Sequence, residues 1–242
     1  VAASNHSKQE AEALGIAAGI VAVGPNVASA GSDALTDAHL DGRLVREAQS
    51  VKISAIGDDD NFAKAVAGSG GVVAGHAAVA TTANDSRTVA ELQRAGTAAT
   101  GVVRAGAIAV ESSHTARFNA EVDSVNASLL GASAAVASHR VASDTDALIG
   151  AGARIEGQDI QVRATDTLRK DWLPDYNVRA AAGGIASGAG AGASRSASQA
   201  SRGPGGLEVR RRKAAPLDRG DLGPAGRHDR VCARDRRDGD VG

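Results

Sequence analysis

The sequence predicts an all-β solenoid, in which successive coils of extended chain stack on one another. Three observations support this fold class: aliphatic segments recur at a nearly constant spacing, apolar and polar side chains alternate, and the apolar fraction consists mainly of small residues. Together they indicate pseudo-repeats of about 55 residues. We assign these repeats to residues 14–202, a lead-in to residues 1–13 and a tail to residues 203–242.

The composition limits how a core can be built. Of the 242 residues 43% are hydrophobic, but only two Phe, one Tyr and one Trp are present, while Gly contributes 30 residues. Large aromatic and aliphatic side chains normally supply most of the buried area of a globule. A thin interior of small residues therefore favours stacked coils over a rounded globule.

Two sets of aliphatic segments recur in the same phase. The first set begins at four residues that are 52, 57 and 56 positions apart: Ile20, Val72, Leu129 and Ile185. The second set comprises residues 51–55, 108–112 and 160–164, and it follows the first by 31, 36 and 31 positions. Two markers that keep one phase predict a single supersecondary unit repeated along the chain.

Period-two alternation predicts that these segments are strands. The even positions from Ile108 to Ser124 are mostly apolar or small, whereas the odd positions include Glu111, Arg117, Asn119, Glu121 and Asp123. Residues 160–169 alternate in the same way. Since successive side chains of a strand point to opposite faces, one face of each strand is expected to be buried.

Helix is the rival interpretation, because Ala has the highest intrinsic helix propensity. A short helix is one expectation for the lead-in, where residues 8–14 read Lys-Gln-Glu-Ala-Glu-Ala-Leu. Elsewhere Ala is interleaved with Gly, Val, Ser and Thr, which weaken helices and favour turns or strands. Strand is therefore predicted for residues 14–202.

Residues 145–164 carry a recognisable pattern: an aliphatic-Gly turn at Ile149-Gly150, then Gly-Ala-x-Ile at residues 152–155, then a strand of the form x-Ile-x-Val-x-Ala at residues 159–164. Partial echoes occur at residues 104–110 and 49–55. The pattern resembles the repeat regions of large filamentous adhesins of Gram-negative bacteria, in the filamentous-haemagglutinin and leukotoxin-like class. This resemblance implies a right-handed parallel β-helix that is exported through an outer-membrane translocator and displayed at the cell surface.

The expected function is that of a non-catalytic structural or adhesive segment of such a secreted adhesin. It would act as a shaft that presents binding regions to host cells or to other bacteria, with no enzymatic activity and no cofactor. Two alternatives remain: a β-helix enzyme that acts on polysaccharide, and the head of a trimeric autotransporter. The latter heads are also rich in Ala, Gly and Ser, but their repeats are shorter than the spacing found in this chain.

Charge and cysteine content exclude several partners. The net charge is −1, and residues 203–242 hold ten Lys and Arg against seven Asp and Glu, so the rest of the chain is mildly acidic and a nucleic-acid partner is not expected. Cys232 is the single cysteine, which rules out an internal disulfide and a Cys-rich metal site. No run of about 18 apolar residues is present, so the chain is not expected to span a membrane.

One segment is a candidate contact loop. It combines acidic and aromatic side chains after the strand that ends near Arg169, and its candidate residues are Asp171, Trp172, Asp175 and Tyr176. No catalytic or metal-binding residue is assigned. Asp58-Asp59-Asp60-Asn61 lacks the Gly and the distal Glu of an EF-hand loop, and a solvated turn between strands is expected there.

The Gly-rich run at residues 182–192 has no Lys-Ser/Thr ending, so tight packing between strands explains it better than a phosphate loop. The tail is expected to be disordered, or to be an out-of-frame translation, because it has few large aliphatic residues and no alternation. Within the tail, Arg219-Gly220-Asp221 is expected to be incidental, since the segment consists largely of these residue types.

Overall fold

The computed structural model describes residues 1–42, 48–93, 102–150, 153–171, 173, 175–202 and 209–211, with side chains up to residue 194. Within these residues the chain forms strands and no helix. The strands are β1 (Ala2–Ser32), β2 (Leu35–Leu40), β3 (Ala48–Asn84), β4 (Arg87–Leu92), β5 (Val102–Ile149), β6 (Arg154–Lys170), β7 (Val178–Gly183), β8 (Ala186–Arg202) and β9 (Val209–Arg211). The predicted all-β class is confirmed.

Neighbouring strands in the sheet are parallel, and their register follows the spacing of the aliphatic segments. β1 pairs with β3, as in Gly19 with Gly71, and β2 pairs with β4 at the same offset. β5 lies beside β3, and β6, β7 and β8 lie beside β5, as in Val73 with Leu130 and Leu130 with Ala186. The chain therefore runs repeatedly beside its own earlier course, in a curled parallel sheet consistent with a β-solenoid.

Each course of the chain folds back on itself at a tip near residues 19–21, 71–73, 128–130 and 184–186. Inward side chains on the two sides of a tip contact each other: Asn61 Nδ2 donates to the Ala83 carbonyl oxygen at 3.1 Å, and Asn84 Nδ2 donates to Asp59 Oδ2 at 2.6 Å. We call the part before a tip the leading half and the part after it the trailing half. The inner faces of the two halves meet across a thin interior.

The tips depend on the absence of a side chain at two glycines. A β-carbon built on Gly71 would collide with the Gly19 carbonyl oxygen, and one built on Gly184 would collide with the Ser128 carbonyl oxygen. In both cases the obstacle is the backbone of the neighbouring coil, which has no flexible end that could move aside. Gly is therefore required at these positions for coils to stack at strand distance.

Among the described residues, the buried apolar side chains form three clusters. The largest lies away from the tips and holds most of the buried branched residues, among them Ile53, Leu92, Val110 and Ile149. The cluster near the tips consists of Ala apart from Val122, so the two halves come close together there. The third contains Phe118 and Val141. All even positions from Ile108 to Ser124 are buried, which confirms the predicted alternation.

Both ends of the chain contain residues that pair in the sheet. The helix considered for residues 1–13 does not form, because Ala2–Ser32 is one strand paired with β3, and this pairing overrides the helix propensity of Ala. Within residues 203–242, Val209–Arg211 forms β9 and pairs with β6 at Ile155–Gly157, so these three residues extend the sheet. The other tail residues, including Arg219-Gly220-Asp221, lie outside the described residues.

Candidate functional site

The predicted contact loop is an insertion in the parallel ladder. Lys170 of β6 pairs with Phe118, and Val178 of β7 pairs with Val122. The seven residues 171–177 therefore pass the three residues 119–121 of β5. The extra chain cannot lie in the ladder and forms a loop on the leading half.

The loop is held to β5 by the predicted Tyr176 and by Asn177, which the sequence analysis did not identify. Asn177 Nδ2 donates to Asn119 Oδ1 at 2.6 Å and to the Ala120 carbonyl oxygen at 2.9 Å. The Tyr176 hydroxyl donates to Asp123 Oδ2 at 3.1 Å. No local pattern signals these contacts, because the partners are 53 to 58 positions apart in the sequence.

The candidate residues of the loop differ in exposure. Tyr176 is partly buried, and the guanidinium of Arg179 lies over its ring at 5.1 Å from the centroid. Burial and the hydrogen bond to Asp123 raise the pKa of Tyr176. Asp171 and Asp175 are exposed, whereas Trp172 lies outside the described residues. The loop thus offers two solvent-facing carboxylates beside a tyrosine that is already hydrogen-bonded to Asp123 and stacked under Arg179.

The turn expected at Asp58-Asp59-Asp60-Asn61 is not formed. These residues lie in the middle of β3, where side chains alternate between the two faces. Asp58 points outward to Arg117, with Nη1 to Oδ1 at 3.1 Å, whereas Asp59 is buried. Because alternation separates the carboxylates, they do not converge on a cation, and no group of three metal-ligating side chains exists in the described part of the chain.

A polar layer runs through the interior between the apolar clusters. The side chains of Asp59 and His114 are each 1% exposed, with Oδ2 and Nε2 3.4 Å apart, and Thr88 Oγ1 lies 3.2 Å from His114 Nδ1. Ser143 donates to Asp166 Oδ2 at 2.5 Å, and partial burial raises the pKa of Asp166. These groups pair with one another inside the coil, which suits a role in aligning the two halves.

An open groove of about 380 Å³ lies on the outer surface of the leading half. Its lining includes Lys52, Glu111 and Arg163 together with four hydroxyl side chains. Lys52 Nζ lies 2.7 Å from Glu111 Oε2, so the single carboxylate of the groove is engaged in an ion pair. Glycoside hydrolysis generally needs two carboxylates that face each other across the bond, and this groove provides one.

The two outer surfaces of the coil differ in charge. The charged face consists of the outward residues of the leading half, within residues 2–14, 52–66, 109–123 and 161–179. On it oppositely charged side chains of neighbouring coils pair, as in Lys64 with Glu121 at 3.4 Å and Arg179 with Asp123 at 3.1 Å. The ion pairs thus form a ladder that runs across the coils.

The uncharged face consists of the outward residues of the trailing half, within residues 21–29, 73–81, 130–138 and 186–194. The register aligns them in five columns and four layers. These columns contain Val, Leu, Pro, Ala, Gly, Ser and Thr, and no charged side chain. One column is Val27, Val79, Val136 and Gly192.

Three glycines of the uncharged face are not explained by packing within the chain. A β-carbon at Gly188, Gly190 or Gly192 would meet no atom within 4 Å. The expectation that the run at residues 182–192 reflects tight packing therefore holds at the tip, at Gly184, and is wrong for these three residues. β8 is exposed on both sides over residues 186–194, which the sequence pattern could not reveal.

Comparison with known protein families, with curated proteins and with solved structures found no match. Among the described residues there is no helix, and hence none with the length and apolar character needed to cross a membrane.

Proposed function

We propose that this chain is a non-catalytic shaft segment of a large bacterial surface adhesin, built as a right-handed parallel β-helix with pseudo-repeats of about 55 residues. The proposal is carried by one observation: the chain lies in parallel register beside its own previous course over almost the whole length of β1, β3 and β5. Further coils could be added to such a ladder with the same parallel pairing.

The distribution of interactions supports a structural role. Ion pairs, the buried contact between Asp59 and His114, and the glycine tips connect one coil to the next. In a quasi-one-dimensional fold, stability is the sum of such nearest-neighbour terms, so a long shaft is no less stable per coil than a short one. The resemblance of residues 145–164 to filamentous adhesins agrees with this role.

The alternatives are less well supported. A polysaccharide-acting enzyme would need convergent carboxylates, whereas Glu111 is the only carboxylate lining the outer groove. A trimeric autotransporter head would need much shorter coils than those that pair Gly19 with Gly71 and Val73 with Leu130. Partners consistent with the shaft are an outer-membrane translocator during export, and host or bacterial surface ligands bound by regions that the shaft presents.

Surface display tests the proposal. Antibodies raised against the full chain should label intact cells of the source bacterium, and deletion of the translocator gene should abolish the labelling. Labelling only after the cells are permeabilised would contradict the proposal. So would release of oligosaccharides from a panel of bacterial and host polysaccharides by the purified chain.

A further inference from the structure

We infer that the uncharged face is a docking surface for a second copy of this chain, which packs the same face against it. Two sheets stacked in this way lie about 10 Å apart, with outward side chains interdigitating. The inference uses only the surface of the trailing half and does not rest on the proposed shaft role.

The first supporting observation is the exposure of large apolar side chains. On this face Val21 is 70% exposed, Val23 73% and Val27 61%, and Leu130 in the third layer is 50% exposed. The alternating pattern does not require Val at these outward positions, since Ser and Thr occupy equivalent places one column away. Contiguous apolar surface of this kind marks interaction sites on proteins that are otherwise well covered by polar residues.

The second observation is the open space above the outward glycines. Gly weakens a strand by roughly 0.5–1 kcal/mol relative to Ala, yet Gly188, Gly190 and Gly192 alternate along one strand with nothing near their missing side chains. Gly in a strand often marks a place where another backbone approaches closely. Because these glycines have no side chains, the surface of the uncharged face is lower in its fourth layer. A second sheet could therefore approach closely there.

A second copy fits the face better than an unrelated partner does. Nine residues along the strand and four strands make a rectangle of roughly 30 by 19 Å. Two such rectangles bury roughly 1,100 Å² of flat area, and side-chain relief brings this into the range of specific interfaces. The face offers no charge to select a charged partner, and a second copy has the same layer spacing throughout.

Face-to-face pairing is isologous, because the same patch is used by both copies. Such an interface closes on itself and gives a dimer rather than an open filament. The charged faces then point outward on both sides of the dimer, where they remain solvated.

Sedimentation velocity of the full chain, from about 1 to about 100 µM, tests the inference. We expect a reversible monomer–dimer equilibrium in which Val79→Lys raises the dissociation constant at least about tenfold, because it buries an unpaired ammonium at the centre of the interface. Val66→Lys is the matched control: it changes the same residue type in the same strand, β3, but on the charged face, where register places Val66 beside Asp123. It should leave the dissociation constant unchanged.

Gly190→Val provides a second test that does not depend on tolerance of a lysine. The single chain has room for this side chain, so circular dichroism and melting temperature should not fall, while the dimer should weaken. The inference is overturned if the chain stays monomeric over the whole range, or if Val66→Lys weakens association as much as Val79→Lys. Open-ended aggregates in place of a dimer would also overturn it.

Discussion

The charged and uncharged faces are two sides of one coil, and neighbouring coils are held together by different interactions on each of them. On the charged face, side chains of neighbouring coils neutralise each other, as Arg117 and Asp58 do at 3.1 Å. On the uncharged face, the coils are joined by the backbone ladder and by small contacts such as Ser194 Oγ to Ser138 Oγ at 3.3 Å. Both faces expose some large apolar side chains, Leu14 and Ile56 on the charged face and Val21 on the uncharged one, but only the charged face also pairs charged side chains across coils.

The largest effect on stability is expected from a substitution in the interior, which lies beneath both faces. Phe118→Ala should lower the free energy of unfolding by about 3–5 kcal/mol, because Phe118 is 2% exposed and packs on Val141 and on the His139 ring. Phe62→Ala is the matched control, since Phe62 lies outward on the charged face and is only partly buried. Urea denaturation measures both variants. Equal losses would mean that the interior does not hold the two faces together.

The next effect separates the glycines of the tip from those of the uncharged face. Gly71→Ala should cost roughly 2–3 kcal/mol, because its β-carbon would strike the Gly19 carbonyl oxygen. Gly190→Ala should leave stability unchanged or raise it by up to about 1 kcal/mol, since open space surrounds it and Ala restricts the unfolded chain. Denaturant titration at a concentration where the chain is monomeric checks both. A large loss at Gly190 would show that this face is not open.

A pH-dependent effect comes from the polar layer beneath the faces. The pKa of Asp166 is raised mainly by burial, so this group favours the folded state below its ordinary pKa of 3.8, and that contribution is lost as pH rises through the raised folded-state value. Asp166→Asn should therefore be more stable than the parent chain near pH 7, with the difference shrinking toward pH 3.5. Denaturation of both proteins at these two pH values checks this. A difference that is independent of pH would contradict it.

The smallest effect is expected on the charged face. Removing the Lys64–Glu121 pair by alanine substitutions should reveal a coupling energy of about 0–1 kcal/mol, because both side chains are partly exposed and solvent screens them. A double-mutant cycle measures the coupling, and it should disappear in about 1 M NaCl. Coupling that survives high salt would indicate that this ladder contributes more to stability than exposed ion pairs usually do.

Much of the fold was predictable because its signals are periodic along the chain. Period-two alternation identified the buried side of residues 108–124, and the spacing of the aliphatic segments equals the offsets between paired strands. The same local pattern failed at Asp58-Asp59-Asp60-Asn61, where a polar run indicated a turn. Inside the coil Asn84 Nδ2 donates to Asp59 Oδ2 and His114 lies beside the same oxygen, so the strand continues with Asp59 buried.

The candidate site was less predictable, because the contacts that anchor it join residues far apart in the sequence. Asp171, Asp175 and Tyr176 do lie in a loop, but the loop is anchored through Asn177 and Asp123, which carried no motif. The uncharged face was not recognised either, because it consists of common small residues whose significance appears only when four layers are aligned.

By itself, the sequence determined that this protein is all-β, that its strands alternate between a buried and an outward side, and at what spacing its segments recur. These properties follow from the order of apolar and polar residues along the chain. Only the tertiary structure decided where each coil folds back, which polar residues meet inside, and that the outward residues form a charged face and, on the trailing half next to the tips, an uncharged face. Those features depend on contacts between residues about 25 or about 55 positions apart, which no local pattern specifies.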